Sequence, residues 1–371
     1  MKFWFPLFSL LSLLPNGLAL AQTSSAASDS SVASPPHPLS FYGFMDAYYG
    51  YDFPRPPTPD RPTFLYSHDR QNEFAVNNAL LGMRYQSARV RGALGLHAGT
   101  YVAANYAAED PVLRPVYEAY AGFRPFARAW LDAGIFTSHI GFESALSKDN
   151  WTLTRSLMAE NSPYYEAGVR FTYEFAPQLT VTGLVLNGWQ NIRENNRGKA
   201  LGTQVQWQIS DKIQLNSSTF FGNEQPTDSL RRYRFFHDFY LRYSPTSRLS
   251  LAAIFDVGKQ QKAPRTTGYD TWHTAALLAR YQLNKAWAVA ARAEYYAAAH
   301  GVIITSIAPA PTAPDGLVAG GSLNLDYAPG SQVLVRLEAR ALHASDPTFP
   351  RSAGRLIRGY ANLTSSVAVS F

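Results

Sequence analysis

Residues 165–175 read YEAGVRFTYEF, and the order of residue types in that run decides the fold. Tyr165, Ala167, Val169, Phe171, Tyr173 and Phe175 alternate with Glu166, Gly168, Arg170, Thr172 and Glu174. A period of two puts the first set on one face of a β-strand and the second on the other. The same division separates Leu201, Thr203, Val205, Trp207 and Ile209 from Gly202, Gln204, Gln206 and Gln208. It recurs in Trp287, Val289, Ala291, Ala293 and Tyr295 against Ala290, Arg292, Glu294 and Tyr296. Ionisable and amide groups cannot be buried dry without partners. Either the polar face meets bulk water over an apolar core, or it lines a wet channel while the apolar face meets lipid.

Spacing separates these options. Tight turns fall at Ser87-Ala88, Pro125-Phe126, Ala176-Pro177-Gln178, Ser210-Asp211-Lys212, Pro245-Thr246-Ser247, Leu283-Asn284-Lys285 and Ala328-Pro329-Gly330. Alternating segments of about ten residues flank each one, and a longer hydrophilic stretch separates one tight turn from the next. Seven tight hairpins and eight long loops join sixteen strands. A β-propeller would need four strands per repeat and blade motifs, and neither is present. The expected fold is therefore all-β: a closed antiparallel transmembrane β-barrel of sixteen strands, with short periplasmic turns and long extracellular loops.

Composition and the chain ends fit that reading. Charged residues are 16% of the 371, against 14% aromatic, with no cysteine. The first is low for a soluble domain, at roughly 25%, and the last excludes a disulfide scaffold and thiolate metal sites. Tyr85, Phe123, Tyr173, Phe175, Trp207, Tyr243, Tyr281, Trp287 and Tyr327 all lie beside tight turns, as in an interfacial girdle. Lys2, the apolar run Phe3 to Leu14 and Ala19-Leu20-Ala21 predict a signal peptide over residues 1–21. Residues 22–40, rich in Ser and Pro, are expected to be a flexible periplasmic lead-in, with the barrel spanning 41–371. The last strand alternates up to Phe371, which resembles the assembly signal read by barrel-assembly machinery.

The whole span from residue 40 onward resembles the beta-barrel porin-2, OmpL-like family of bacterial outer-membrane proteins. The likeness is carried by SFYGFMDAYYGYDF with Asp46, VYEAYAGF with Glu118, and WLDAGIFTSHIGFES from Asp132 to Ser144. It continues through RSLMAENSPYYEAGVRFTYEF, with Ser156, Glu160, Pro163 and Glu166, and LNGWQNIRENNRGKALG, with Gly188, Trp189 and Gln190. RFFHDFYLRYSP and LVRLEAR complete it. The resemblance implies an integral outer-membrane porin, and it carries architecture further than it carries solute.

No chemistry competes with this. The eight histidines include no HExxH pair, and there is no GxSxG, P-loop or dinucleotide fingerprint. No catalytic, cofactor or metal residue is assigned, and the chain is not expected to be an enzyme. The net charge of +6 is scattered among aromatics and carboxylates, so lipopolysaccharide and outer-membrane lipid are the expected partners and nucleic acid is not. A homo-oligomer is compatible with the reading. The expected function is passive diffusion of small hydrophilic solutes. A non-conducting barrel serving as adhesin or structural anchor, and an outer-membrane hydrolase, are the alternatives.

Two expectations concern the pore. If even-numbered polar positions face the lumen, with Arg91 from the polar side of its own strand, the wall presents nine arginines: Arg84, Arg91, Arg124, Arg170, Arg242, Arg280, Arg292, Arg336 and Arg340. It also presents ten carboxylates, Asp46, Glu118, Asp132, Glu166, Glu174, Asp238, Asp256, Glu294, Asp326 and Glu338. That near-balance places the basic surplus in the connections, for example Arg55, Arg61, Arg70, Arg193, Arg197, Lys259, Lys262 and Arg265, and predicts weak anion preference. The third long loop, from His139 to Ser162, carries Phe142, Leu146, Trp151, Leu153, Leu157 and Met158. Apolar side chains in a loop that long need a surface to pack on, so it is expected to fold into the lumen; packing on other external loops is the alternative.

Overall fold

The computed structural model describes residues 38–304 and 316–371. The expected signal peptide and nearly all of the expected lead-in lie outside the described residues. The alternating segments form β1 (Leu39–Asp52), β2 (Phe74–Gln86), β3 (Val90–Ala98), β4 (Val116–Phe123), β5 (Ala129–Thr137), β6 (Tyr165–Ala176), β7 (Leu179–Leu186) and β8 (Ala200–Ser210). They continue as β9 (Ile213–Asn223), β10 (Tyr233–Tyr243), β11 (Leu249–Gln261), β12 (Tyr269–Gln282), β13 (Trp287–Ala298), β14 (Gly316–Tyr327), β15 (Val333–Ala344) and β16 (Gly359–Ser370). Every neighbour is antiparallel in sequence order, and β1 pairs with β16 to close the ring of sixteen. Closure leaves no unpaired edge, which a spanning sheet in lipid requires because hydrocarbon offers backbone groups no partner. The first strand begins at Leu39, two residues ahead of the expected start.

All seven tight turns sit where the alternation breaks. Even-numbered side chains point inward on most strands: Asp238, Asp256, Ala276, Glu338 and Thr364 are buried, while Phe239, Phe255, Leu277, Leu337 and Leu363 are exposed on the outer surface. Strand β3 is out of phase. There Ala93 and His97 are buried and Leu94 and Leu96 face out, so Arg91 is an inward odd-numbered residue. The turn-side aromatics form an outer band, with Trp207, Tyr243, Tyr281 and Tyr327 exposed and the Trp287 and Tyr327 rings 4.6 Å apart. Phe371 belongs to the same band. Its backbone exchanges both hydrogen bonds with Gly43 of β1, and its ring occupies the space where a side chain on residue 43 would stand.

The interior is not an open bore. The third loop folds inward, and its short helix α1 (Leu157–Glu160) is wholly buried. Trp151, Met158, Ala159 and Tyr164 pack against Tyr240, Ala252, Ile254, Ala276, Leu278 and Ala290 of the inner wall. At the strand ends opposite the tight turns a second apolar cluster fills the lumen. Phe64 and Leu65 of the first loop meet Phe220, Phe236, Trp272, Tyr296 and Leu342 there. Trp189 of the fourth loop is edge-on to Phe220 and Phe236 at 5.0 and 4.9 Å.

Candidate functional site

The inward-facing polar residues fall into three groups, and the third loop decides which group each one joins. On β13–β15 several of them, Arg292, Glu294, Asn324, Arg336 and Glu338, bond directly to that loop. Arg336 donates from Nη1 to the Ser147 carbonyl at 2.6 Å and from Nη2 to the Asn150 carbonyl at 3.0 Å. Its Nε pairs with Asp326 at 2.8 Å, and Asp326 also takes Arg280. Arg292 donates to Thr152 Oγ1 at 2.7 Å and pairs with Glu338 at 3.2 Å. Glu338 in turn accepts Thr154 Oγ1 at 3.0 Å. Glu294 accepts the Leu157 amide at 2.6 Å and is held by Arg340 at 2.9 Å. The loop leaves from β5 and β6 and reaches strands on the far side of the ring, so it divides the lumen as a septum.

The second group anchors the loop and its neighbours near their roots. Asp46 accepts Ser147 Oγ at 2.7 Å and His68 Nε2 lies 2.9 Å from it. Glu166 lies 2.9 Å from His139 Nδ1, while His139 Nε2 is 2.8 Å from the Thr219 carbonyl. Burial alone would lower the His139 pKa, but the Glu166 carboxylate outweighs it and the pKa is raised. Asp238 and Asp256 face each other in register on β10 and β11, with Asn216 donating to Asp238 at 3.0 Å.

The third group stays in contact with open space. Below the septum, toward the tight-turn end, lies a cavity of about 540 Å³ whose lining includes Arg84, Arg91, Arg124, Arg170, Arg242 and Glu174. Asp132 sits buried behind it, taking Arg91 through bonds of 2.7 Å and Arg170 through bonds of 2.9 and 3.0 Å. Buried Glu118 takes Arg84 at 3.0 Å and the Tyr42 hydroxyl. Tyr42 reaches Glu118 by crossing Gly82 and Gly95, where any side chain would collide with its ring or hydroxyl.

The lining also holds charged and aromatic residues outside the expected set, among them Tyr42, Arg128, Trp130, Glu143, Lys148 and Asp149. Arg128 lies in a tight turn, where alternation says nothing about direction. Tyr42 and Trp130 are even-numbered and inward, a signal masked by their apolar character. Glu143, Lys148 and Asp149 belong to the septum itself. With Arg128 and Lys148 included, seven basic side chains (Arg84, Arg91, Arg124, Arg128, Lys148, Arg170 and Arg242) meet five carboxylates (Glu118, Asp132, Glu143, Asp149 and Glu174) in and immediately behind this cavity, a surplus of two positive charges. The near-balance of the whole wall is therefore not the balance that a solute meets.

Two assignments to the connections are corrected. Arg61 is buried and pairs with Asp52 at 2.9 Å, so it neutralises a wall carboxylate instead of charging the mouth. Lys259 lies within β11. Ser217 and His237 approach to 2.9 Å, but both are odd-numbered positions of the outer face, away from the cavity. Among the described residues no three His, Asp or Glu side chains converge as a metal site would require.

The comparisons agree with the geometry. The chain superposes on OmpT of Vibrio cholerae with a TM-score of 0.60 at 10% identity, covering 90% of this chain and 97% of that one. A trimer form of that protein matches with a TM-score of 0.59 at 10% identity, over 90% and 99% of the two chains. An anion-selective porin from Comamonas acidovorans matches at 0.58 and 9% identity, over 90% and 99%. At such identities the likeness shows the fold alone. No curated protein matches the sequence. The family model for beta-barrel porin-2, OmpL-like, matches residues 38–371. With nearly the whole chain covered and the sixteen-stranded ring closed, the protein belongs to the beta-barrel porin-2, OmpL-like, family and is an integral outer-membrane β-barrel.

Proposed function

We propose that the barrel is a diffusion channel for small hydrophilic solutes, with a preference for anions. The observation that carries this reading is the polar cavity below the septum, lined by partly exposed arginines inside a lipid-facing ring. A spanning barrel of sixteen strands encloses more space than its own side chains fill, and here that space is wetted on the β2–β10 side. Carboxylates beside the arginines hold them in place and offset only part of their charge. A homo-oligomer is part of the reading, as is contact with outer-membrane lipid and lipopolysaccharide. The channel reading includes no catalytic step and no cofactor.

One observation favours a second reading. The apolar cluster around Trp189, Phe236 and Trp272 fills the lumen opposite the tight-turn end, as it would in a non-conducting anchor or adhesin. Single-channel recording on the purified protein separates the two. Stable stepwise conductance supports the channel, and a bilayer that stays sealed with folded protein inserted supports the anchor.

A further inference from the structure

The cavity beneath the septum has a second property that diffusion alone does not need: its arginines are laid over aromatic rings. Arg91 and Arg124 place Cζ 4.4 and 4.6 Å from the Trp130 ring centroid. Arg170 stands 4.6 Å from Phe136, and Arg84 4.6 Å from Tyr42. A guanidinium held by a ring and a buried carboxylate is pre-oriented, so little side-chain entropy is lost when a ligand arrives.

We propose that this cavity is a binding site for small organic carboxylates carried on an aromatic or other apolar body, entered from the periplasmic side. The proposal rests on the channel reading for how the ligand passes the barrel, not for how it binds. Charge surplus alone would gather any anion. The forks of Arg84, Arg91 and Arg170 are spent on Glu118 and Asp132. The planar fork of Arg242 in the same lining is not, and it matches the two oxygens of a carboxylate in particular. Tyr42 and Phe142, both partly exposed in the lining, offer ring surface for an apolar body. A cavity of about 540 Å³ has the size of small-molecule sites, roughly 300–1,000 Å³. Its lining runs to Arg128, Ser370 and Phe371, all at the tight-turn end, which sets the side of entry.

The test is equilibrium binding to the purified full-length protein in detergent, by tryptophan fluorescence and calorimetry at constant ionic strength. The probes are benzoate, acetate and benzylammonium. Benzoate should saturate, acetate should bind at least tenfold more weakly, and benzylammonium should show no saturable binding. The double substitution Arg124→Gln, Arg242→Gln should weaken benzoate at least tenfold while the barrel keeps its heat-modifiable mobility on a denaturing gel. If the double variant loses that mobility, Arg242→Gln alone should still cost at least threefold. Benzylammonium binding as tightly as benzoate, or benzoate affinity unchanged in the folded variant, overturns the site. Conductance without benzoate binding refutes the site and leaves the channel. Binding without conductance does the reverse.

Discussion

The backbone amide of Leu157, first residue of the septum helix, donates 2.6 Å to Glu294 Oε2 on β13. Those residues are 137 positions apart in the chain. A wall carboxylate thus satisfies an amide that a helix N-terminus leaves open, and Arg340 holds that carboxylate from behind. Excising Lys148 to Arg155 should therefore raise single-channel conductance, and Glu294→Ala should raise open-channel noise with a smaller gain in conductance. Unchanged values in both would place the loop outside the permeation path.

Asp132 neutralises Arg91 and Arg170 together. Asp132→Asn should leave both guanidiniums without their shared counter-charge. Anion preference should increase, and the folded barrel should lose on the order of 1–3 kcal/mol, the scale for stripping a buried charged partner. Reversal potentials and the temperature at which the heat-modifiable band is lost report the two effects separately. A shift toward cation preference would contradict the assignment of Asp132.

The wild-type channel should prefer anions in a KCl gradient, most clearly at low salt. The preference should shrink as salt rises, because the screening length is roughly 8 Å at physiological ionic strength. Since the arginines line a confined cavity, some preference should persist where mouth charges alone would be screened out. Strong cation selectivity would overturn the cavity assignment.

His139 roots the septum between Glu166 and the Thr219 carbonyl. Its pKa is raised in the fold, so its anchoring is complete below the ordinary value near 6.5 and is lost as pH climbs through the raised one. Channel noise should therefore grow as pH is raised above about 6.5, and His139→Gln should flatten that profile. Noise that falls over the same interval would show that the anchor works without its proton.

Phe371 pairs with Gly43 at the seam that closes the ring. Deleting it should lower the amount of barrel reaching the outer membrane more than it lowers the melting temperature of barrel already formed. Normal membrane levels of the shortened chain would remove Phe371 as an assembly signal.

Alternation and turn spacing were enough to reach the strand number, the tight turns and the outward aromatics. Each of these depends on neighbours within about ten residues, and lipid and water impose the same period on every strand. The out-of-phase strand β3 was visible only through Arg91 and His97. The length and apolar content of the third loop announced that it needed a packing surface, and the fold supplied one on β10–β13. Which charges meet solvent was not legible. Arg292, Glu294, Arg336 and Glu338 read like Arg84, Arg91 and Arg170, yet the first set is buried in bonds to the septum and the second borders the cavity. Parity tells which face a side chain takes, but closure of the ring decides what stands opposite it. Only the tertiary structure brings a loop from between β5 and β6 across to β13–β15 and leaves the β2–β6 arginines facing water.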